Sequence, residues 1–238
     1  MYAGSGRALT RRKWWLHCSA TVAALAGLRA QALAATPAAT GSAQARATGA
    51  GSRTLLVLGD SLSAEYGIAR GSGWVALLER QLERDRIAAR VVNASVSGDT
   101  TSGGRSRLPA LLQQYRPTHV VIELGGNDAL RGLPLSMTRD NLVAMTRAAR
   151  AASARVLLVG MQMPPNYGSR YTQDFAALFS GVARSEGAAL VPFLLAGVAD
   201  SPRAEQLFQQ DRIHPTAEAH PVILGNVWPV LRPWLTRG

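Results

Sequence analysis

Short apolar runs alternate with segments of helical periodicity along most of this 238-residue chain. The runs occupy residues 54–58, 90–94, 119–124, 155–160 and 189–193. A strand that is apolar on both faces is typical of a parallel sheet covered by helices on both sides, whereas a strand with one face in water alternates apolar and polar residues. The pattern therefore predicts an α/β fold built on a parallel sheet.

Helices are predicted between these runs, because apolar residues recur there every three or four positions. The periodic segments lie around residues 74–82, 108–115, 141–152, 172–186 and 216–235. Proline lacks a backbone N–H, and its ring clashes with the preceding helical turn. We therefore expect the last helix to be interrupted at Pro221 and Pro229.

The N-terminal segment has the pattern of an export signal. Basic residues precede a mostly apolar stretch at 16–28, and Ala32-Leu33-Ala34 then matches a small-x-small cleavage site. The sequence predicts a signal peptide over 1–35 and a periplasmic or secreted protein. The segment at 10–16 also resembles a twin-arginine signal. The alternative is an amphipathic helix that stays attached.

Residues 36–52 are mostly Ala, Thr, Gly and Ser, a composition that predicts a flexible leader. One domain is then expected over 53–238. Cleavage near Ala34 would remove five basic residues and no acidic one, which lowers the formal net charge from +11 to +6. The single cysteine, Cys18, excludes a disulfide framework and a Cys-based metal site.

The remaining basic residues are dispersed along the chain. They form no Lys/Arg block with interleaved aromatic residues, so nucleic acid is not an expected partner. The positive surplus favours at most a weak, transient contact with an anionic membrane surface. Nothing in the sequence requires more than a monomer.

Polar or glycine-rich clusters follow the first three predicted strands, and a fourth precedes the last helix. The clusters are Gly59-Asp60-Ser61, Ser97-Gly98-Asp99, Gly125-Gly126-Asn127-Asp128 and Asp211-Arg212-Ile213-His214-Pro215. The carboxyl ends of parallel strands share one edge of the sheet, and ligands bind along that edge in open α/β folds. We therefore expect the clusters to meet there.

A nucleophile with its base can be assembled from these clusters. Ser61 could attack a carbonyl if His214 removed its proton, and Asp211, three residues earlier, could orient the imidazole. His119 begins a predicted buried strand and is expected to be structural, whereas His220 lies on the predicted last helix and could be at the surface.

Donors for a developing oxyanion are also available. The backbone N–H groups of Ser61 and Gly98 and the side-chain amide of Asn127 could supply three. Gly98 has no Cβ and so would allow close backbone approach. Taken singly, these motifs could be ordinary turns, and Asp211 could be a helix cap.

Together the four clusters resemble the conserved blocks of the SGNH (GDSL) hydrolase family. The resemblance extends across about residues 54–236 and is most specific at 92–101, 107–112 and 121–132. It is strongest toward the branch of bacterial acyl-CoA thioesterase I, lysophospholipase L1 and arylesterases. It implies a three-layer α/β/α flavodoxin-like fold with a five-stranded parallel sheet, and no metal or organic cofactor.

The resemblance also implies roles for individual residues. Ser61 would be the nucleophile, Gly98 and Asn127 oxyanion donors, and Asp211 and His214 the rest of a triad. The segment 163–171 resembles a loop that lines the acyl groove in that branch, although it could be an ordinary surface loop. The expected substrate contacts are Asp60, Leu62, Met163, Pro165 and Tyr167.

Three residues depart from the family pattern. Glu65 stands where glycine is usual and is expected to put a charge close to the site, and Arg212 and His220 replace smaller or amide residues.

The sequence thus predicts an exported serine esterase that hydrolyses aryl or acyl esters, lysophospholipids or acyl thioesters through an acyl-enzyme. Its expected partner is a small acyl-ester or lysolipid substrate. The alternatives are an envelope polysaccharide O-deacetylase or acyltransferase, and an inactive binding module on the same fold.

Overall fold

The computed structural model describes residues 53–237, which form a five-stranded parallel sheet in the order β2-β1-β3-β4-β5. This confirms the predicted fold class. The strands are β1 (Arg53–Gly59), β2 (Ala89–Asn93), β3 (His119–Glu123), β4 (Arg155–Val159) and β5 (Ala189–Val191).

Helices cover both faces of the sheet. They are α1 (Trp74–Arg84), α2 (Thr101–Tyr115), α3 (Gly126–Leu130), α4 (Leu135–Ala151), α5 (Ser169–Glu186), α6 (Ala204–Leu207) and α7 (His220–Thr236), with 3₁₀ turns at Pro165–Tyr167 and Ala217–Ala219. Helix α1 packs against α7, and α4 packs against α2 and α5. The sheet therefore lies between two helical layers, as the sequence predicts.

The three central strands supply the middle of the core. Residues 55–58 of β1 and 157–159 of β4 are fully buried, because helices cover both faces of these strands. Strand β2 lies at an edge of the sheet and is only partly buried. The fifth strand ends before Pro192, which cannot donate a ladder hydrogen bond.

The predicted interruptions of the last helix are wrong, since α7 continues from residue 220 to 236. Pro221 lies in the first turn of α7, where its missing N–H would have no intrahelical partner in any case. Pro229 lies inside the helix, whose apolar face is buried against the core on either side of it, at Val227 and Leu231. Tertiary packing therefore outweighs the local cost of the proline.

Helices α3 and α6 were not predicted, because five and four residues are too few for a periodic pattern to show. The predicted signal peptide and leader, 1–52, lie outside the described residues. Within residues 53–237, no helix combines the length and the apolar character needed to cross a bilayer.

Candidate active site

Ser61 lies in a tight turn that follows β1 at the carboxyl edge of the sheet. The carbonyl of Asp60 accepts hydrogen bonds from the N–H groups of Ser63 (3.3 Å) and Ala64 (3.0 Å), and the Asp60 Oδ1 accepts one from Leu62 (3.0 Å). These bonds reverse the chain within a few residues and place Ser61 at the end of the buried strand.

His214 lies in a loop that is tied to the same turn. Within this loop, the Gln209 N–H donates to the His214 carbonyl at 2.8 Å, and Phe208 forms a β-bridge with Pro215. The Gln209 Nε2 also donates to the carbonyl of Tyr66 (2.9 Å), which belongs to the turn of Ser61. The two segments are thus joined although 153 positions separate Ser61 from His214.

The structure brings Ser61, His214 and Asp211 into one hydrogen-bonded chain. The Nε2 of His214 lies 2.9 Å from the Ser61 Oγ, and its Nδ1 lies 2.6 Å from the Asp211 Oδ2. The Asp211 Oδ1 accepts from the N–H groups of Ile213 and His214, each at 3.0 Å. With a hydrogen on Nδ1 facing Asp211, Nε2 is free to accept a proton from Ser61.

Asp211 is held in its ionised form. Burial opposes ionisation, but the hydrogen bonds from the His214 ring and from the N–H groups of His214 and Ile213 outweigh it and lower the pKa of Asp211 to about 2. A carboxylate charged at neutral pH stabilises a positive imidazolium, so the arrangement favours proton transfer to His214.

The aromatic ring of Tyr66 packs against the imidazole ring of His214. The two ring centroids are 4.3 Å apart, and the planes are inclined at 40°. Tyr66 is 50% exposed, so its ring forms part of the wall between His214 and solvent. Tyr66 could not be identified from the sequence, because nothing in its spacing relates it to His214.

Asn127 and Gly98 lie on neighbouring segments. Asn127 is on α3, and its Nδ2 donates to the Asp60 Oδ2 at 2.9 Å, beside Ser61. Arg131, directly after α3, donates from Nη2 to the Gly98 carbonyl at 2.9 Å. One amide hydrogen of Asn127 is engaged by Asp60, and its other hydrogen has no acceptor among the described residues.

The backbone conformation at position 98 gives a reason for glycine that the sequence does not show. Its φ is +78°, a conformation that side-chain-bearing residues rarely adopt. A Cβ added there would meet only the Arg131 Nη2 at 3.8 Å, an ordinary contact. Among the protein contacts, backbone conformation rather than lack of space accounts for the glycine, and close approach of a ligand stays a prediction.

Asp128 anchors α3 from inside the protein. This buried carboxylate accepts from the Thr101 N–H (2.8 Å), the Thr101 hydroxyl and the Thr138 hydroxyl (3.3 Å). It therefore ties the helix that carries Asn127 to α2 and α4. Asp128 belongs to the polar cluster after the third predicted strand, but its contact with Thr101 could not be predicted from the sequence.

The Glu65 carboxylate is bound by backbone donors of the loop that follows it. It accepts from the N–H groups of Gly71 (2.9 and 3.0 Å) and Gly73 (2.7 Å), so it closes the loop before α1. The departure at position 65 therefore has a structural role, because these backbone donors hold the carboxylate. The expected charge close to the site stays a prediction.

His220 is buried, so the surface position that the sequence left open for it is wrong. Its Nδ1 accepts from the N–H of Trp74 at 3.0 Å, which satisfies a donor at the start of α1. His119 is also buried, with its ring edge-on to Trp234 at 4.7 Å, as expected for a structural residue. Burial lowers the pKa of both histidines, that of His119 to about 4.

The residues expected to contact substrate lie in different surroundings. Asp60 is buried beside Ser61, and Leu62 is 6% exposed and belongs to the hydrophobic core. Met163 is half-buried against the core, and Tyr167 is 40% exposed. The side chain of Pro165 lies outside the described part of the structure.

A groove of about 580 Å³ lies where the loop after β4 meets the start of α5. Its lining residues are Tyr167, Gly168, Ser169, Arg170, Tyr171 and Asp174. The loop lies after a strand, on the same edge of the sheet as Ser61. Within residues 53–237, no three His, Cys, Asp or Glu side chains cluster so as to hold a metal ion.

Comparison with known proteins identifies the family. Residues 57–222 match the GDSL-like Lipase/Acylhydrolase family, and this span contains all four clusters. The chain belongs to that family. The resemblance recognised in the sequence is thereby confirmed.

Named relatives of this family member are similar over most of their length. It is 51% identical over 186 residues to Esterase TesA of Pseudomonas aeruginosa, and the matched region covers 78% of this chain and 91% of the relative. It is 43% identical over 170 residues to Thioesterase 1/protease 1/lysophospholipase L1 of Escherichia coli K12, with 71% and 79% covered. The crystal structure of TesA superposes with a TM-score of 0.74 at 51% identity, covering 77% of this chain and all of that one.

Asp60 gives this family member a testable dependence of stability on pH. Burial raises the pKa of Asp60 to about 6, against the opposing effects of the Leu62 N–H, His214 and Asn127. The folded state therefore holds this proton more tightly than the unfolded chain. This group makes its full contribution to the free energy of unfolding below about pH 4 and loses it as pH rises to 6 and beyond.

The substitution Asp60→Asn removes this titration. We expect the free energy of unfolding of the variant, relative to wild type, to rise by about 3 kcal/mol between pH 4 and pH 8. Urea unfolding at both pH values measures it, and Asp140→Asn, at an exposed carboxyl, is the control. An Asp60→Asn difference that stays constant with pH would contradict a raised pKa.

Proposed function

We propose that this chain is a serine hydrolase of small acyl esters, with Ser61 as nucleophile, His214 as general base and acid, and Asp211 as the residue that orients His214. The observation that carries the proposal is the position of His214, whose two ring nitrogens contact Ser61 at 2.9 Å and Asp211 at 2.6 Å. Membership of the GDSL-like Lipase/Acylhydrolase family supports the same chemistry.

The reaction begins when the Ser61 Oγ attacks the acyl carbonyl carbon and its proton passes to the His214 Nε2. The negative charge on the carbonyl oxygen is stabilised by the N–H groups of Ser61 and Gly98 and by the free amide hydrogen of Asn127. Collapse of this intermediate breaks the ester bond, and the Nε2 proton goes to the departing alcohol or thiol.

Water completes the cycle. It attacks the acyl-enzyme carbonyl while His214 accepts a water proton, and a second tetrahedral intermediate forms at the same donors. When this intermediate collapses, the Ser61 oxygen leaves and recovers a proton from His214. The products are a free carboxylic acid and the restored enzyme.

An apolar acyl chain suits the surface around Ser61. Five of the large apolar side chains that are exposed in residues 53–237 lie on this side of the protein. They belong to the loops and the short helix at the carboxyl edge of the sheet or to the His214 loop, and they are Tyr66, Val96, Leu130, Tyr167 and Ile213. The relatives named esterase and thioesterase/lysophospholipase support aryl or acyl esters, lysophospholipids and acyl thioesters as the substrate class.

Export and a monomeric state are part of the proposal. The basic, apolar and small-residue pattern of the first 35 residues supports a periplasmic or secreted location. At that location, esters and lysolipids at a membrane surface are more accessible than acyl-CoA. Contact with the membrane would then be transient and weak, since no dense basic patch is present in the sequence.

A substrate panel on the purified protein tests this function. We expect turnover of p-nitrophenyl esters and of a lysophospholipid, with lower kcat/KM for acyl-CoA and none for an acetylated polysaccharide. Activity confined to the polysaccharide would support an O-deacetylase instead. Absence of turnover on the whole panel would contradict an ester hydrolase and favour a binding module.

A further inference from the structure

Glu123, the last residue of β3, is a fully buried carboxyl group at the foot of the active-site turn. Its exposed fraction is 0%, and the four residues before it in the strand are buried as well. An acidic side chain in such a strand is unusual, because burial without compensation disfavours a charge strongly. The proposed reaction assigns no role to Glu123, so it does not explain why a carboxyl group is buried here.

The hydrogen bonds of Glu123 go to the residues on either side of Ser61. Its Oε2 accepts from the Ser63 hydroxyl at 2.7 Å and from the Asp60 N–H at 3.3 Å. The Ser63 Oγ in turn accepts from the Trp74 Nε1 at 3.1 Å, which links the turn to α1. One carboxyl oxygen thus holds both flanks of the candidate nucleophile.

The other oxygen, Oε1, is buried and has no hydrogen-bond partner among the described residues. The titratable group that acts on Glu123 is Asp60, an acid on the turn. No cation pairs with Glu123 in the part of the chain that the structure describes. A carboxylate here would be a buried charge with an unpaired oxygen and a second acid beside it. In the neutral acid Oε1 is still unpaired, but the cost of burying a charge and the repulsion from Asp60 are removed.

We propose that Glu123 is a positioning residue of the active site, held as a neutral carboxylic acid whose Oε2 fixes the turn that carries Ser61. Burial, followed by the nearby charge of Asp60, keeps the pKa of Glu123 well above its ordinary value, in agreement with this assignment. The inference rests on the proposed function, because it concerns the placement of the same serine.

Close packing makes the contact sensitive to small changes. A Cβ added at Gly59 would lie 2.8 Å from both the Glu123 Oε2 and the Ser63 Oγ, so the backbone leaves no spare room at this point. Loss of the Oε2 acceptor would leave the Ser63 hydroxyl and the Asp60 N–H without it. The turn would then shift, and the Ser61 Oγ would leave its 2.9 Å contact with His214.

Two substitutions separate a neutral acceptor from a charge. Glutamine keeps a carbonyl oxygen at the position of Oε2 and has no charge, so Glu123→Gln should retain kcat for a p-nitrophenyl ester within about threefold. Methionine has a similar length and no strong acceptor, so Glu123→Met should lower kcat by about 10- to 100-fold with a small change in KM. A Glu123→Gln loss as large as that of Glu123→Met would overturn the proposal.

Glu186 on α5 provides the matched control. It is also a largely buried carboxyl group, but its carboxylate pairs with Arg147 at 2.8 Å. The pair joins Glu186 at the end of α5 to Arg147 on α4. We expect Glu186→Gln and Glu186→Met to leave kcat unchanged at a temperature where both variants are folded. If the Glu186 and Glu123 pairs lowered kcat equally, general destabilisation would account for the effect, and the positioning role would be rejected.

The charge state of Glu123 has two readouts that do not need the methionine variant to fold. The pH profile of kcat should be the same for wild type and Glu123→Gln, because neither carries a charge there. If Glu123 were ionised, the substitution would remove a negative charge beside Asp60 and displace the acid side of the profile. A displaced profile would overturn the assignment.

Infrared spectroscopy at pH 8 gives the second readout. The wild type should show a protonated-carboxyl band that Glu123→Gln lacks, and absence of that band would also overturn the assignment. If the proposed function itself were wrong, the wild type would fail to turn over esters while the band remained, so the two failures are distinguishable.

Discussion

Replacement of Ser61 by alanine is expected to lower kcat for p-nitrophenyl ester hydrolysis by about 10⁶-fold while the fold is retained. The Ser61 Oγ is the atom that lies 2.9 Å from the His214 Nε2, so its removal leaves the imidazole without a nucleophile to activate. The measurement is steady-state kinetics on purified wild type and Ser61→Ala, with the thermal unfolding midpoint recorded for each.

Ser180→Ala is the control for this experiment. Ser180 lies on α5, where its hydroxyl donates to the Ala177 carbonyl, outside the cluster of Ser61, His214 and Asp211. This variant should hydrolyse esters at the wild-type rate. Substantial turnover by Ser61→Ala would show that another group is the nucleophile.

The substitution Asp211→Asn should give the second largest effect, a fall in kcat of about 10⁴-fold. Asparagine preserves shape but replaces one acceptor oxygen by an N–H donor and removes the charge. In the wild type an ionised carboxylate lies 2.6 Å from the His214 Nδ1. Without it, the ring would lose its preference for the tautomer with hydrogen on Nδ1, and its charged form would no longer be stabilised. Steady-state kinetics at pH 8 measure the loss, which should be in kcat more than in KM.

Asp200→Asn is the matched control, since Asp200 is an exposed loop carboxylate that accepts from a backbone N–H, as Asp211 does. It involves the same change of charge away from His214. We expect normal kinetics for this variant. Equal rates for Asp211→Asn and wild type would exclude Asp211 from the proposed reaction.

The sheet and the meeting of the four clusters were predictable because of one topological rule. Parallel strands point their carboxyl ends to the same edge, so Ser61 and Asn127 could be placed together from the strand pattern alone. The position of His214 relied on the Asp-x-x-His spacing and on the family resemblance. Its 2.9 Å contact with Ser61 required the fold of the connecting loop.

Other features depend on tertiary contacts that no local pattern contains. A surface position was open for His220 because it lies on the last predicted helix, yet its ring accepts from the N–H of Trp74 at the start of α1, 146 positions away. The continuity of α7 through Pro229 depends on burial against the sheet, which local propensity does not include. The contact between Tyr66 and His214 likewise joins two segments that are far apart in the sequence.

Glu123 did leave a signal in the sequence, an acidic residue at the end of an otherwise apolar run at 119–124. The run predicted the strand, but not that the carboxyl would be turned inward to Ser63. The signal peptide and leader, whose residues precede the described part of the chain, remain predictions.

Reaction with a fluorophosphonate, followed by intact-mass measurement and peptide mapping, tests the central claim most directly. A fluorophosphonate phosphonylates a serine that is activated by its neighbours much faster than an ordinary hydroxyl group. We predict one adduct per chain on Ser61 of the wild type, loss of esterase activity in proportion to labelling, and no adduct in His214→Ala. An adduct on a different residue, or ester hydrolysis that persists after Ser61 is fully labelled, would contradict the account.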